Sequence, residues 1–303
     1  MIKTTRDALL KTLSPEIIYI DEPMNKHTSF KIGGPADVLV MPENVEDVRR
    51  VMEICKENAC PFHIVGNGSN LLVGDDGIRG VVLKLSENFS HVNIDGGRVM
   101  AQSGILLSKL SNKVVEKSLG GFEFASGIPG TIGGAVFMNA GAYGGEMKDV
   151  VREVTVLTRE GEVVTLSNDE LDFGYRRSAI QKNKHIVLEV SLELNEKPYD
   201  DIKSIIDELT EKRTTKQPLS LPSAGSTFKR PEGYYAGKLI DDAGLRGLRY
   251  GDAQVSEKHC GFIVNRGSAT SADVLRLISL VQKVVLDKFG VSLEPEVRLF
   301  GKE

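Results

Sequence analysis

Apolar positions recur at helical spacing over residues 44–58, where Val45, Val48, Met52 and Cys55 stand at i, i+3, i+7 and i+10. Cys60-Pro61 ends that stripe, and the run Phe62 to Val65 reads as a strand. Gly80 leads into a second strand at 81–83. This alternation of types predicts a small α/β unit. The pattern then changes. The stretch HVNIDGGRVMAQSG carries a hairpin signal at Asp95-Gly96-Gly97, residues 106–118 read as a helix, and 154–158 and 163–166 read as strands around Glu160-Gly161. Ile186, Leu188, Val190, Leu192 and Leu194 then alternate, which places them on one face of a strand. A mostly antiparallel sheet with helices follows from this, an α+β class. Lys197-Pro198 marks a boundary, and Ile202, Ile205, Ile206 and Leu209 form a further helical stripe. A long helix is expected over 272–289, with Ser271 as N-cap and Gly290 at C′. A final strand is expected over 293–300.

Length and composition narrow the class. The 303 residues suggest two or three domains, with 41% hydrophobic and 26% charged residues, as in an ordinary globular protein. A net charge of −4 gives no basic surface for nucleic acid. Cys55, Cys60 and Cys260 form no C-x-x-C pair, so the expectation is a reducing cytoplasm with no disulfide framework. The five histidines are scattered, which predicts no metal site. No membrane span is expected either, because the least polar stretch, 128–143, is broken by glycines and Asn139.

Two glycine-rich segments carry the first candidate chemistry. Residues 127–146 read GIPGTIGGAVFMNAGAYGGE, with seven glycines in twenty. Such a run either wraps bare N–H donors around a phosphorylated ligand or lets chain pack closely on chain. Residues 62–73, FHIVGNGSNLLV, hold a second turn at Gly66-Asn67-Gly68-Ser69-Asn70 between apolar runs. This is not the dinucleotide fingerprint, because Leu71 stands where the third glycine belongs. The sequence GYYAGKL at 233–239 falls one residue short of a Walker A loop and lacks its Ser/Thr. Two phosphate-friendly turns outside both nucleotide motifs point to another cofactor fold.

Three polar stretches hold reactive side chains. In FGYRRS, 173–178, Arg176 is a bidentate partner for a carboxylate or phosphate, or one of a surface arginine pair. In PSAGSTFKRP, 222–231, Ser226 lies on tight backbone, as a reactive hydroxyl or as a turn or cap residue. It is no G-x-S-x-G elbow. In EPEVR, 294–298, Glu294, Glu296 and Arg298 share one face of an extended strand, solvated or, beside a cofactor, an acid with its charge partner.

Taken in order, TSFKIGGPA (28–36), VGNGSNLLV (65–73), 121–146, FGYRRS, RTTKQP (213–218), PSAGSTFKRP and LEPEVRLFG (293–301) resemble the UDP-N-acetylenolpyruvoylglucosamine reductase family over almost the whole chain. The resemblance implies a vanillyl-alcohol-oxidase-like (PCMH-type) two-part FAD-binding domain plus a smaller α/β substrate domain. It implies FAD-binding parts at 1–84, joined by a returning strand at 291–303, and at 85–197, and a substrate domain at 198–290. It further implies a cytoplasmic flavoenzyme that uses FAD and NADPH to reduce UDP-N-acetylglucosamine enolpyruvate to UDP-N-acetylmuramate for the cell wall, with no metal.

In that reaction hydride passes from flavin N5 to the vinyl C3, and Ser226 protonates C2. Arg176 and Glu296 would hold the substrate carboxylate as charge builds there. Glu296 would serve best protonated, with a raised pKa. For FAD the resemblance implicates Gly66, Asn67, Gly68, Ser69 and Asn70, then Gly130, Thr131, Ile132, Gly133 and Gly134, then Asn139, Gly141 and Ala142, with Arg213 and Arg298 near the cofactor. Tyr175, Lys216 and Tyr235 would contact substrate or NADPH. Longer family members carry an extra segment with a substrate-clamping tyrosine after this arginine motif. Here FGYRRS runs almost directly into the 186–194 strand, as in the shorter subclass. A related FAD oxidase would keep the glycine loops without the Arg176, Ser226 and Glu296 set. A non-catalytic flavin or UDP-sugar binder would lose at least one reactive side chain.

Overall fold

The structure, a computed structural model, describes residues 2–301. It divides into two compact units. Of the described residues, the first holds 2–19, 38–67 and 80–213, and the second holds 20–37, 68–79 and 214–301. These compact units are drawn differently from the three-part division implied by the resemblance: 20–37, 68–79 and 291–301 group with 214–290.

The first unit has two hydrophobic cores. One forms where the Val45–Glu57 helix buries Val48, Val51, Met52, Ile54 and Cys55 together with Val81, Leu83, Leu157, Ile186 and Leu188. Asn44 caps the helix by accepting the Asp47 N–H at 3.0 Å, and Glu46 and Asp47 complement its N-terminal dipole. Beyond it, Phe62–Val65 pairs in parallel with 81–84. The helix closes in a Schellman motif: Cys60 N–H reaches the Cys55 carbonyl at 2.8 Å and Ala59 N–H reaches Lys56 at 3.2 Å. Ala59 takes the left-handed position at φ 49°, where glycine carries no Cβ penalty. Ala59→Gly is therefore expected to stabilise the protein by about 1 kcal/mol, read as a rise in the denaturation midpoint without a change in m.

The second core lies against a five-stranded antiparallel sheet in the order Val163–Ser167, Val151–Leu157, Ile186–Glu193, Arg98–Gln102, Val92–Asp95. The expected hairpin at 95–97 is there, joining Val92–Asp95 to Arg98–Gln102. The expected one-faced alternation of 186–194 is corrected. The pairing jumps from Thr155↔Glu189 to Val156↔Val187, so Leu188 is an extra residue in a β-bulge. The bulge reverses which side each side chain meets. Ile186 and Leu188 enter the helix core, whereas Val187, Val190, Leu192 and Leu194 enter the sheet core with Phe122, Ile132 and Met147.

The second unit centres on the Ser271–Phe289 helix, which buries Val274, Leu277, Ile278, Val281 and Val285 against Phe228, Ile240, Val255, Ile263 and Leu293. Its N-cap is Thr270, not Ser271. Thr270 Oγ1 accepts the Asp273 N–H at 3.1 Å and Asp273 returns the favour at 3.0 Å, a capping box. Ser271 instead gives its own N–H to Asp75 at 2.7 Å. Gly290 closes the helix at φ 68° as expected. The expected strand over 293–300 shortens to Arg298–Phe300, which lies parallel to Leu71–Val73. Pro295 has no N–H for a ladder, and the chain before Arg298 pairs elsewhere.

Candidate functional site

In the first unit the glycine-rich segment is locked by its own backbone. Ile132 and Gly133 donate to the Ile105 and Ser103 carbonyls, each at 2.9 Å, and Gly130 accepts from Leu107 at 2.9 Å. Gly130 N–H goes to Ile128 at 3.0 Å, and Gly134 N–H faces Thr131 Oγ1 at 3.4 Å. A Cβ on Gly133 would lie 2.6 Å from Ser103 Cβ, and one on Gly66 would lie 2.5 Å from Thr131 Oγ1. Of the two readings of this run, close packing of chain on chain accounts for Gly133, as it does for Gly66 in the other turn, and the N–H groups of 130 and 132–134 are engaged inside the chain.

Asn139 is the pivot of the segment. It is fully buried, in the left-handed conformation at φ 42°. Its Nδ2 donates to Glu146 Oε2 at 2.9 Å and to the Gly174 carbonyl at 3.1 Å, and its Oδ1 accepts the Lys148 N–H at 3.0 Å. The first and last of these bonds brace the hairpin of Gly141–Ala142 with Gly145–Glu146. The middle one anchors a tight turn in which Gly174 and Arg177 exchange backbone bonds at 3.0 and 3.1 Å. Tyr175 and Arg176 form the tip. Arg176 has φ 55°, a costly value for a side-chain-bearing residue, and its guanidinium lies 5.1 Å from the exposed Tyr175 ring. Gln181 Nε2 holds the Arg176 carbonyl at 3.1 Å.

Arg213 lies over the same segment. Its Cδ would be 3.0 Å from a Cβ on Gly127, so a side chain there would crowd the arginine stem against the backbone. Burial lowers the guanidinium pKa, and the neighbouring Tyr143 raises it in part. An arginine stays cationic under both influences. Among the described residues no carboxylate pairs with it. Tyr143, exposed at the hairpin tip with φ 53°, was not singled out by the sequence. Its signal was an aromatic residue at a turn position that favours asparagine or glycine.

The second unit gathers another set of expected residues. Gly68 turns at φ 65°, where a Cβ would lie 2.1 Å from the His27 carbonyl, and its own carbonyl accepts from Ser29 at 3.2 Å. Asn70 Nδ2 donates to the Glu296 carbonyl at 3.2 Å, and the Asn70 carbonyl accepts the Arg298 N–H at 3.0 Å. Glu296 N–H donates to the Thr227 carbonyl at 2.8 Å, and Lys229 N–H donates to the Glu294 carbonyl at 2.8 Å. Ser226, half-buried and following Gly225 at φ 79°, therefore neighbours the residue that holds Glu296. The expected shared face of Glu294, Glu296 and Arg298 is corrected. Glu294 is exposed and ion-paired with Lys229 Nζ, whereas Glu296 is half-buried against the 226–228 segment. Arg298 is exposed by surface area, yet crowding around its guanidinium lowers the pKa by desolvation. Lys216 and Tyr235 are exposed, and the Arg230 guanidinium stacks 4.0 Å from the Tyr235 ring. Arg230 stands within PSAGSTFKRP but was not singled out.

Thr227 was also missed. It is buried, its Oγ1 accepts the Ile263 N–H at 3.0 Å, its N–H goes to Gly261 at 2.8 Å and its carbonyl takes Glu296. Thr227→Val keeps the shape but strands the buried Ile263 N–H. The expected cost is about 1–3 kcal/mol in chemical denaturation, and serine at this position should recover most of it.

Comparison with known proteins agrees with the fold. Residues 36–167 match the FAD binding domain family, and 217–300 match the UDP-N-acetylenolpyruvoylglucosamine reductase C-terminal domain. A 4-ethylphenol oxidase from Gulosibacter chungangensis shares the fold at TM-score 0.52 and 17% identity, covering 97% of this chain and 64% of its own. The molecule is thus an FAD-dependent oxidoreductase with a vanillyl-alcohol-oxidase-like (PCMH-type) fold. The UDP-N-acetylenolpyruvoylglucosamine reductase of Alkaliphilus metalliredigens is 59% identical over 96% of this chain and 95% of its own. That of Clostridioides difficile is 56% identical over 97% of each. The crystal structure of the Thermus caldophilus reductase superposes at TM-score 0.81 with 36% identity, over 94% of this chain and 98% of its own. The chain belongs to the UDP-N-acetylenolpyruvoylglucosamine reductase family.

Proposed function

We propose that this enzyme uses NADPH to reduce UDP-N-acetylglucosamine enolpyruvate to UDP-N-acetylmuramate, a cytoplasmic step in peptidoglycan precursor synthesis. The observation that carries the reading is the pairing of the Ser226–Lys229 segment with Glu294–Glu296, which brings a hydroxyl-bearing turn beside the half-buried Glu296. FAD, when bound, supplies the two-electron relay between nicotinamide and the vinyl C3.

The donor chemistry of the chain fits that cofactor. Arg213 is a desolvated cation lying on the Gly127 backbone without a carboxylate partner among the described residues, suited to the diphosphate of FAD. The turns at 66–70 and 141–142 would supply close backbone approach, and Asn139 would hold the latter in shape. In our reading the N–H groups of 130 and 132–134 are scaffold, and that segment would meet the cofactor through its small surface.

Hydride addition at C3 leaves negative charge at C2 and on the substrate carboxylate. Arg176 would hold that carboxylate as a bidentate partner and stabilise the growing charge. Glu296 would donate a hydrogen bond to the same group in its protonated form. Ser226 Oγ would deliver the proton to C2. A hydroxyl is a weak acid, so its use demands a strongly basic carbon acceptor and a fixed position, which the Thr227 anchorage provides. Tyr175, Lys216 and Tyr235 would meet the nucleotide ends of substrate or NADPH, and Arg298 would stand near the flavin.

Anaerobic stopped-flow tests this assignment. The holoenzyme is reduced with NADPH and then mixed with the enolpyruvyl sugar while flavin absorbance is followed. Fast reoxidation with formation of UDP-N-acetylmuramate is expected. Reduced flavin that ignores the sugar but reacts with oxygen would retain the flavoenzyme and discard the substrate.

A further inference from the structure

We propose that Cys55 and Cys60 form a dithiol modification site, which an acidic low-molecular-weight disulfide converts into an intrachain disulfide. Neither thiol belongs to the residues assigned above. The Schellman closure of the Val45–Glu57 helix brings them together: Cys60 N–H bonds the Cys55 carbonyl at 2.8 Å, and the Cys60 thiol, which donates to the Pro61 carbonyl at 3.6 Å, lies near enough to act on the Cys55 thiol. In this motif the side chains at these two positions frequently touch across the helix end. A disulfide needs a short Cα separation, and the backbone bond between these two residues favours it.

The second observation is a surface pocket of about 420 Å³ lined by both cysteines with Met52, Lys56, Phe62 and Arg159. Lys56 and Arg159 are exposed cations, and no carboxylate lies among the lining residues. The Arg159 guanidinium stands 5.1 Å from the Phe62 ring, and its Nε is fixed to the Lys184 carbonyl at 3.1 Å. A pocket of this charge selects a disulfide bearing carboxylates, such as oxidised glutathione.

The two thiols are unequal. Cys55 is fully buried, and burial together with Cys60 pushes its pKa up to about 12. Cys60 retains a little exposure, 6%. The first attack therefore comes from the Cys60 thiolate on one sulfur of the reagent, which forms a mixed disulfide and releases one small thiolate. The Cys55 sulfur then attacks Cys60 Sγ, its proton passes to the departing thiolate, and a second small thiol leaves. Net, two protein thiols lose two protons and two electrons, and one small disulfide becomes two thiols.

The test uses the holoenzyme, incubated without oxygen with oxidised glutathione, then unfolded, alkylated and analysed by mass spectrometry. The expected product has lost two hydrogens, with Cys55 and Cys60 blocked in one linked peptide and Cys260 alkylated. Cys55→Ser should stop at a persistent glutathione adduct on Cys60, and Cys60→Ser should leave Cys55 unmodified. The cationic disulfide cystamine should react about tenfold more slowly at low salt. Full alkylation of both cysteines in the native sequence, a stable adduct there, or a link through Cys260 would overturn the dithiol. Equal or faster reaction with cystamine would overturn the acidic class.

Discussion

Replacing Ser226 by alanine should leave flavin reduction by NADPH within about twofold, while flavin reoxidation by the enolpyruvyl sugar slows by roughly 10²–10⁴-fold. The two halves separate because nicotinamide oxidation needs no proton at the substrate carbon. Alanine removes the hydroxyl and nothing that carries the backbone: the bonds that seat this segment belong to Thr227 and Lys229. Solvent deuterium would sharpen the result, because the native second half-reaction should show an isotope effect that the variant changes. Equal slowing of both halves would remove Ser226 from the chemistry and mark the change as structural.

Asn139→Ala should cost about 3 kcal/mol of unfolding free energy. Three part-buried bonds disappear together, leaving the Lys148 N–H without its partner and the Gly174 carbonyl with the Arg177 N–H alone, and alanine must hold the φ of 42°. Asn139→Gly should return about 1 kcal/mol of this, since only the backbone penalty is relieved. The kinetic effect should fall on the substrate half-reaction, through the loosened turn that presents Arg176. Added FAD should recover part of the lost stability by mass action, provided the fold survives. A loss below about 1 kcal/mol in alanine would refute the pivot role.

Much of the fold was legible because local rules and packing agreed. The stripe from Val45 to Cys55, the turn at 95–97 and the glycine after Phe289 each state one structure in a few residues. The misreadings have specific causes. The alternation of Ile186 to Leu194 fits a one-faced strand, and nothing local announces the bulge at Leu188, which is set by register against Thr155 and Val156. Ser271 resembled a cap, but Thr270 one residue earlier takes that place in a box with Asp273, and Asp75, distant in sequence, accepts the Ser271 and Ala272 N–H groups. Glu294 and Glu296 look equivalent by alternation, but Lys229 takes one and the Thr227 carbonyl holds the backbone of the other. The family was legible through long motifs matched together. The scaffolding role of Asn139 was not, because an asparagine in a glycine run reads the same whether it faces a ligand or its own chain.

The bulge at Leu188 has a further consequence. One strand serves both cores of the first unit, with Leu188 set in one and Val190 in the other. Neither core can come apart while this strand keeps its place, so the two should open as a single cooperative element. Amide protons along the central part of the strand should exchange only through whole-unit opening, and those of the Val45–Glu57 helix and the Arg98–Gln102 strand should report the same opening free energy. A length of chain carrying one extra residue thereby turns two local cores into one thermodynamic body.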